Sequence, residues 1–491
     1  MKHQMGDLTR YRIKKRRNHC IACAILAALL CLLCACGGPA SSGPDGQASD
    51  GPGTAGGNAS QSETPGMMAG TAGSGGELIL LSSETDKGRY TTGRIYDQDK
   101  VTQLLCYVDY AAAREIPLCA QPSCAHDSDA CTAFMKLGNS ATAPKIGSGN
   151  AIFFVIMDGE TGQDEIWTAG PDGSNRRLLV RSTTGSNGCK PIAEDGAYLY
   201  YFYESYREEN GEMLQSRLYL ARVPLAGGES EDISSWEDKN EGAGYEFLGV
   251  SGREVALYRY EWGNPMENAA PGDTPPQETG AMADAQGDQQ HMCRHSAFLL
   301  NVDTGTQREL GTWSSSTGSV GCSCLWEDGR LYWCTDNAYG PIHWMDVDGQ
   351  SGELATLPEN PHDENAYYML DCIVQGKLLI DCFSPAADST LRCAIDLSDN
   401  LADGGFAGNA QALTLRYLYA VSEYPVRIEG RSETELLVMY EIDVEYSPGF
   451  YEDGTPKENF SATSRYGLIS YEDYFANRPN YRPVEMPYGS I

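Results

Sequence analysis

From residue 77 to the C-terminus, apolar positions come in short alternating runs rich in Tyr, Val, Ile, Phe and Trp, separated by Gly, Asp, Asn and Pro. A period of two puts every second side chain on one face, the pattern of half-buried β-strands. Almost no window sustains twelve residues at the helical period. The stretch from Ala151 to Val180 shows the repeating unit most clearly. Ala151 to Met157 predicts a strand, Asp158-Gly159 a turn and Glu165 to Ala169 the returning strand. Pro171-Asp172-Gly173-Ser174 then predicts a second turn and Arg176 to Val180 a third strand.

The unit recurs along the chain. Ala197 to Tyr203, Arg217 to Pro224 and Ser230 to Ile233 form the next, with a Gly227-Gly228 turn. Glu254 to Tyr260 and Ser296 to Val302 lead into Asp303-Thr304-Gly305, and Arg330 to Cys334, Ile342 to Val347 and Glu353 to Leu357 enclose Asp348-Gly349. The second-turn glycines Gly173, Gly228, Gly305 and Gly349 lie 55, 77 and 44 residues apart. The long interval contains a Pro/Gly/Gln-rich insertion near 263–292, and without its 30 residues it falls to 47. A period of about 45 to 55 residues with several strands per unit predicts an all-β chain folded as a β-propeller. Weaker units at Leu104 to Leu118, Lys377 to Asp396 and Glu435 to Ser470 bring the count to about seven blades, with six or eight as alternatives. The strand from Glu77 to Ser82 is expected to complete the last blade from the opposite terminus, because a closed ring leaves no exposed sheet edge. Ile166 to Leu179, a strand and a D-G turn followed by another strand, resembles the TolB-like propellers.

Ahead of this domain, Lys14, Lys15, Arg16 and Arg17 precede an apolar run from Ile21 to Leu33 that is short for a membrane span. Leu33-Cys34-Ala35-Cys36 resembles the lipobox of bacterial lipoproteins. The resemblance implies cleavage after Ala35, diacylglycerol on the Cys36 thiol, and a chain held on the outer face of the cytoplasmic membrane. Acyl chains bring about 0.8 kcal/mol per buried methylene, so two of them anchor a domain without a spanning helix. A single-span anchor is the alternative. Residues 1–35 therefore read as a signal peptide, 36–76 as a lipidated Cys and flexible Gly/Ser/Pro linker, and 77–491 as the propeller. The linker has almost no large apolar side chain to offset chain entropy, which predicts disorder. Its Gly51-Pro52-Gly53-Thr54-Ala55-Gly56 spells a dinucleotide fingerprint, but no strand precedes it and no helix follows.

Charge narrows the partners. The whole chain carries −32; residues 1–35 hold seven basic side chains and one acid, and without them 29 basic and 67 acidic residues leave −38. That balance argues against nucleic acid, which needs basic patches to displace counterions, and against lying flat on anionic lipid. Of 17 cysteines, twelve follow Cys36. Export permits disulfides, whereas an anaerobic host could keep the thiols reduced.

Three thiols and an imidazole fall within thirteen residues at Cys119, Cys124, His126 and Cys131. Zinc takes four sulfur and nitrogen ligands in a tetrahedron, and this loop offers a Cys3His set. Its C-x4-C-x-H-x4-C spacing is not that of a standard zinc finger. A structural zinc, a local disulfide and a reactive site all remain open. Loops of this kind after a first blade resemble those of uncharacterised surface lipoproteins of Gram-positive anaerobes, and the resemblance brings no activity with it. Cys322, Cys324 and Cys334, and then Cys372, Cys382 and Cys393, have spacings that suit neighbouring strands of one blade.

The chain has no G-x-S-x-G, H-E-x-x-H or Walker A motif. His126, His291, His295, His343 and His362 are the imidazoles after Cys36, and structural or exposed roles are expected for them. Asp158/Glu160 and Asp346/Asp348 sit at predicted turns, where Asp caps backbone amides. The run from Tyr198 to Tyr203 suits a strand, with ring stacking on sugars or peptides an open alternative. The expectation is a lipid-anchored, extracytoplasmic binding module for a protein, peptide or glycan. A carbohydrate-active enzyme using acidic residues at the central channel is the alternative. Sequence alone assigns no catalytic or ligand-binding residue.

Overall fold

The computed structural model describes residues 76–491 apart from 98–99, 120, 122, 137–138, 150, 183–185, 210–211, 239–242, 264–291, 316–323, 335–339, 358–365, 385–388, 398–409, 420–421, 451–455 and 490–491. The predicted signal peptide, Cys36, the linker up to residue 75, most of the predicted insertion, Cys322, His291 and His362 lie outside the described residues.

A short leading strand, β1 (Ile79–Leu80), precedes seven antiparallel meanders. The first blade is β2 (Glu84–Thr85), β3 (Gly88–Asp97), β4 (Lys100–Asp109) and β5 (Arg114–Pro117). In the second, β6 (Ser140–Ala141) and β7 (Lys145–Ile146) both pair with β8 (Ile152–Met157), followed by β9 (Asp164–Ala169) and β10 (Arg177–Arg181). Pro144, which has no N–H for the ladder, lies between those two inner pieces. The third comprises β11 (Ser186–Glu194), β12 (Tyr198–Glu209), β13 (Glu212–Pro224) and β14 (Glu231–Asp238). The fourth comprises β15 (Ala243–Ser251), β16 (Glu254–Gly263), β17 (Met292–Asn301) and β18 (Gln307–Ser315). The fifth comprises β19 (Cys324–Glu327), β20 (Arg330–Cys334), β21 (Gly340–Asp346) and β22 (Ser351–Leu357). The sixth comprises β23 (Tyr367–Val374), β24 (Lys377–Ser384), β25 (Ser389–Asp396) and β26 (Ala410–Leu413). A hairpin of β27 (Arg416–Tyr419) and β28 (Ser422–Pro425) leads into the seventh blade, β29 (Arg427–Arg431), β30 (Glu435–Phe450), β31 (Pro456–Ser470) and β32 (Arg482–Val484). The five-residue α1 (Tyr471–Phe475), capped by the Ser470 hydroxyl, is the only helix among the described residues.

The alternating pattern becomes a ring because each blade buries both faces against its neighbours. Seven apolar clusters correspond to seven seams. The seam between the last and first blades holds Leu437, Met439, Tyr466 and Leu468 against Val108 and Tyr110. Each fully buried large side chain contributes about 1.5–3 kcal/mol of hydrophobic stabilisation, so every seam is a core in its own right. At the inner side of the ring β2 lies beside β7 and β29, and β19 beside β15 and β23, while β1 touches both β11 and β15.

The leading segment does not complete the last blade as expected. Ile79 and Leu80 pair with Glu194 and Ala193, on the channel edge of the third blade, and Ser82 then bridges Ile146 of the second. Burial decides this seat: Leu78 enters the core between the third and fourth blades and Leu81 the one between the second and third. Ring closure instead uses the C-terminus. Glu485 pairs in parallel with Arg114, its N–H donating to Ala113 O (2.9 Å) and its carbonyl accepting from Glu115 N (2.8 Å).

Turn chemistry sets the two faces. First-to-second and third-to-fourth turns share one face of an antiparallel meander. Gly173, Gly228, Gly305 and Gly349 occupy the third-to-fourth turns of blades two to five, with φ of +78°, +148°, +66° and +85°. On the same face, Asp328-Gly329 and Gln375-Gly376 each place two successive residues at positive φ, as tight hairpins require.

Candidate functional site

The Cys/His loop is an excursion in the outer edge of the first blade. Leu118 N donates to Leu105 O and Leu105 N to Ala133 O, both at 2.9 Å, so loop 119–132 leaves and returns at one residue of β4. This pinning sets Cys119 and Cys131 beside each other. Phe134 bridges Leu104, and Met135 N donates to Gln103 O (3.0 Å), continuing the edge that β5 began. Ser123 and His126 adopt φ of +59° and +57° and turn the tip back. The four donor atoms of Cys119, Cys124, His126 and Cys131 lie within 4.8 Å of one another, with His126 Nδ1 3.2 Å from Cys131 Sγ. Arg176 of the second blade braces the returning limb, donating to Phe134 O (3.1 Å) and to Thr132 O.

These donors suit a soft divalent cation. With Zn–S near 2.3 Å, a tetrahedron places its sulfurs about 3.8 Å apart, inside the 4.8 Å that spans the four donor atoms. Supporting amides are in place: Ala133 N donates to Cys131 Sγ (3.3 Å) and His126 N to Cys124 Sγ (3.4 Å). Burial pushes the Cys131 thiol up to about 12, and the neighbouring Cys119 and Cys124 thiols add to it. Burial also acts upward on Cys119, but amide donation from Gln121 and Thr132 and hydrogen bonding from the other two thiols bring it below its ordinary value. The three sulfurs are not joined to one another.

The other sequence candidates are structural. Asp158 Oδ1 accepts from Glu160 N (2.8 Å) and Thr161 N (3.0 Å), and Asp346 Oδ1 from Asp348 N (3.1 Å) and Gln350 N (2.8 Å), so both are turn caps. Cys372, Cys382 and Cys393 occupy three neighbouring strands of the sixth blade. His295 and His343 belong to a stack running Tyr258, His295, Trp313, Trp333, His343, with centroids 5.0–5.7 Å apart, that crosses from the fourth blade to the fifth. Tyr200, Tyr201 and Phe202 are buried, and Tyr203 stacks on Tyr219 at 4.7 Å.

Sequence reasoning missed a second site, a cavity of about 560 Å³ on the face of the first-to-second turns. It opens where the fifth, sixth and seventh blades meet, lined by Glu327, Asp328, Tyr332, Gln375, Arg431 and Tyr471 among others. Arg431 is its hub. The guanidinium lies 3.3 Å from Glu84 of the first blade and 3.9 Å from Glu327 of the fifth, and donates to Ile373 O of the sixth (2.6 Å). Burial raises the Glu327 carboxyl above its ordinary value, although Arg431 draws it back. Six of the seven blades carry a carboxylate on the first strand of their meander: Glu84, Glu194, Glu246, Glu327, Asp371 and Glu429. One signal for this rim was present in the sequence, the repeated tripeptide Glu194-Asp195-Gly196 and Glu327-Asp328-Gly329 at equivalent turns of the third and fifth blades.

No protein-family model and no curated protein sequence matches this chain. Among solved structures it is similar to the uncharacterised protein lmo1340 of Listeria monocytogenes (9% identity, 69% of this chain and 81% of that one, TM-score 0.36). It is also similar to the β-propeller domain of the Trilobed protease of Pyrococcus furiosus (11%, 79% and 98%, 0.38). A third similarity is to TolB of Acinetobacter baumannii (10%, 81% and 80%, 0.32). At these scores no activity, ligand or residue role transfers. The seven meanders and seven seams identify the chain as a seven-bladed β-propeller.

Proposed function

We propose that this protein is a lipid-anchored propeller of the outer face of the bacterial cytoplasmic membrane, processed before Cys36, that binds a peptide or glycan segment in the cavity around Arg431. The observation that carries the reading is this cavity. A ligand-sized hollow gathers two guanidinium groups, two carboxylates and two tyrosines from the fifth and seventh blades against a short apolar strip of the sixth, a lining rich in charge and hydrogen-bond partners for a peptide or glycan. Gly76 lies on the same face, its carbonyl accepting from Arg253 (2.6 Å) at the first-to-second turn of the fourth blade. Within the same proposal the Cys119, Cys124, His126 and Cys131 loop holds a structural zinc ion.

Binding to a panel of oligosaccharides and peptides, cell-wall muropeptides included, tests the cavity. Arg431→Ala and Glu327→Gln are each expected to weaken the ligand found by at least tenfold, and Asp158→Asn, in an outlying turn of the second blade, to leave it unchanged. Equal affinity for all three variants would end the reading. Mass spectrometry of the processed N-terminus tests the anchor, and an unmodified Cys36 would remove it.

One observation favours a second reading. Glu327, raised by burial and sharing Arg431 with Glu84, has the chemistry of a general acid beside a second carboxylate. Turnover of any glycan in the panel, abolished by Glu327→Gln, would replace binding with hydrolysis.

A further inference from the structure

Resting on the zinc reading above, we infer that the metal at Cys119, Cys124, His126 and Cys131 is the clasp of the ring, fastening the C-terminal strap 485–489 to the first blade. The strap is sewn to that blade by backbone at both ends. Glu485 exchanges two hydrogen bonds with Ala113 and Glu115, and Tyr488 O accepts from Arg94 N (2.8 Å). Between these anchors, Tyr488 N donates to Glu115 Oε2 (3.0 Å), a carboxylate only 1% exposed.

The strap then meets the loop. The Tyr488 ring stands edge-on to the His126 ring, with centroids 6.5 Å apart and planes at 87°. Cys131, Cys119, Cys124 and Tyr488 also share one small core with Leu104, Cys106 and Ala133. Backbone fits closely beneath: a Cβ at Gly93 would lie 2.5 Å from Tyr488 Cβ and 2.9 Å from Cys106 Sγ, so the strap has one seat. Among the described residues the apolar seam between the last and first blades extends no further than Met486, so the packing of Tyr488 comes from this second core. A metal that fixes the His126 ring and draws three sulfurs together makes a rigid platform for Tyr488. Without it, the loop tip keeps two hydrogen bonds, Gln121 Nε2 to Ala130 O (3.3 Å) and Cys131 N to Ser128 O (2.9 Å), beside weak thiol contacts and two residues at positive φ. Because coupling between two sites is reciprocal, the strap must strengthen metal binding by the factor with which metal strengthens the strap.

Full-length protein purified without chelator, kept under reductant, tests this by zinc content and amide hydrogen exchange. Expected are one zinc per chain and, on its removal, about tenfold faster exchange at Glu115, Glu485 and Tyr488, with Leu299 in the fourth blade unaffected. Tyr488→Ala, which leaves all four donors in place, is expected to speed zinc transfer to a competing chelator about tenfold. Absence of zinc would overturn both the zinc reading and the clasp. Stoichiometric zinc whose removal leaves those three amides unchanged, or a Tyr488→Ala variant that holds zinc as firmly as the parent, would overturn the clasp alone.

Discussion

Replacing Arg392 by methionine is expected to destabilise the propeller by about 3 kcal/mol, read as a lower urea midpoint at unchanged slope. Arg392 projects from the third strand of the sixth blade, with 6% of its side chain exposed. It grips Asp381 with both arms (2.7 and 2.8 Å), reaches Asp371 Oδ2 (2.8 Å), and donates to Val426 O (3.2 Å) and to the Tyr474 hydroxyl (3.4 Å). Asp371 is available because it is the bulge residue of β23, skipped in the register between Leu370 and Cys372. One guanidinium thus ties three strands of the sixth blade to the approach of the seventh and to α1. Methionine keeps the bulk but strands two carboxylates. Arg392→Lys should recover only part of the loss, since an ammonium cannot match the bidentate fork. An unfolding free energy for Arg392→Met within about 1 kcal/mol of the parent would refute this account.

Acidification is expected to act through two buried groups of opposite sign. His295 is 2% exposed, hydrogen-bonded to the Tyr258 hydroxyl and stacked between Tyr258 and Trp313. Burial lowers its pKa from 6.5 to about 4. Between those values the unfolded chain is protonated and the folded one is not, so its contribution is fully present above pH 6.5 and lost as pH falls through 4. The loss is on the order of 3 kcal/mol. Glu115 runs the other way: burial raises its carboxyl from 4.5 to about 7, so its contribution is complete below pH 4.5 and lost as pH rises through 7. In the parent the two largely offset each other between pH 4.5 and 6.5. Variants separate them. His295→Phe should gain on the parent as pH drops from 7 to 4, and Glu115→Gln should gain as pH climbs from 4.5 to 7.5. Urea midpoints for both variants that track the parent across this range would show that neither group titrates as described.

The parts of this molecule legible in the sequence are those with local causes. The glycines at 173, 228, 305 and 349 need positive φ, and they mark equivalent turns of four successive blades because a tight turn depends on its own few residues. The second and third strands of blades two to five are visible for the same reason, since alternation is a property of neighbours. Innermost strands such as β2 and β7, two residues each, are too short to leave a period. The Cys/His cluster could be suspected from spacing, yet its closeness comes from Leu105, which holds both ends of the loop, and its cover from Tyr488, far along the chain.

What the order of residues determined by itself is therefore the unit: an all-β chain of repeating hairpins with a thiol-rich loop after the first of them. Tertiary structure alone decided how the units meet. It seats Leu78 and Leu81 in cores of the second to fourth blades instead of the last blade, closes the ring with the C-terminal strap, and brings Glu84, Glu327, Ile373 and Arg431 from four blades to one point. The physical reason is that burial and charge pairing act through space. A leucine or an arginine takes the partner that the closed ring brings within a few ångströms, and nothing in its own stretch of chain names that partner.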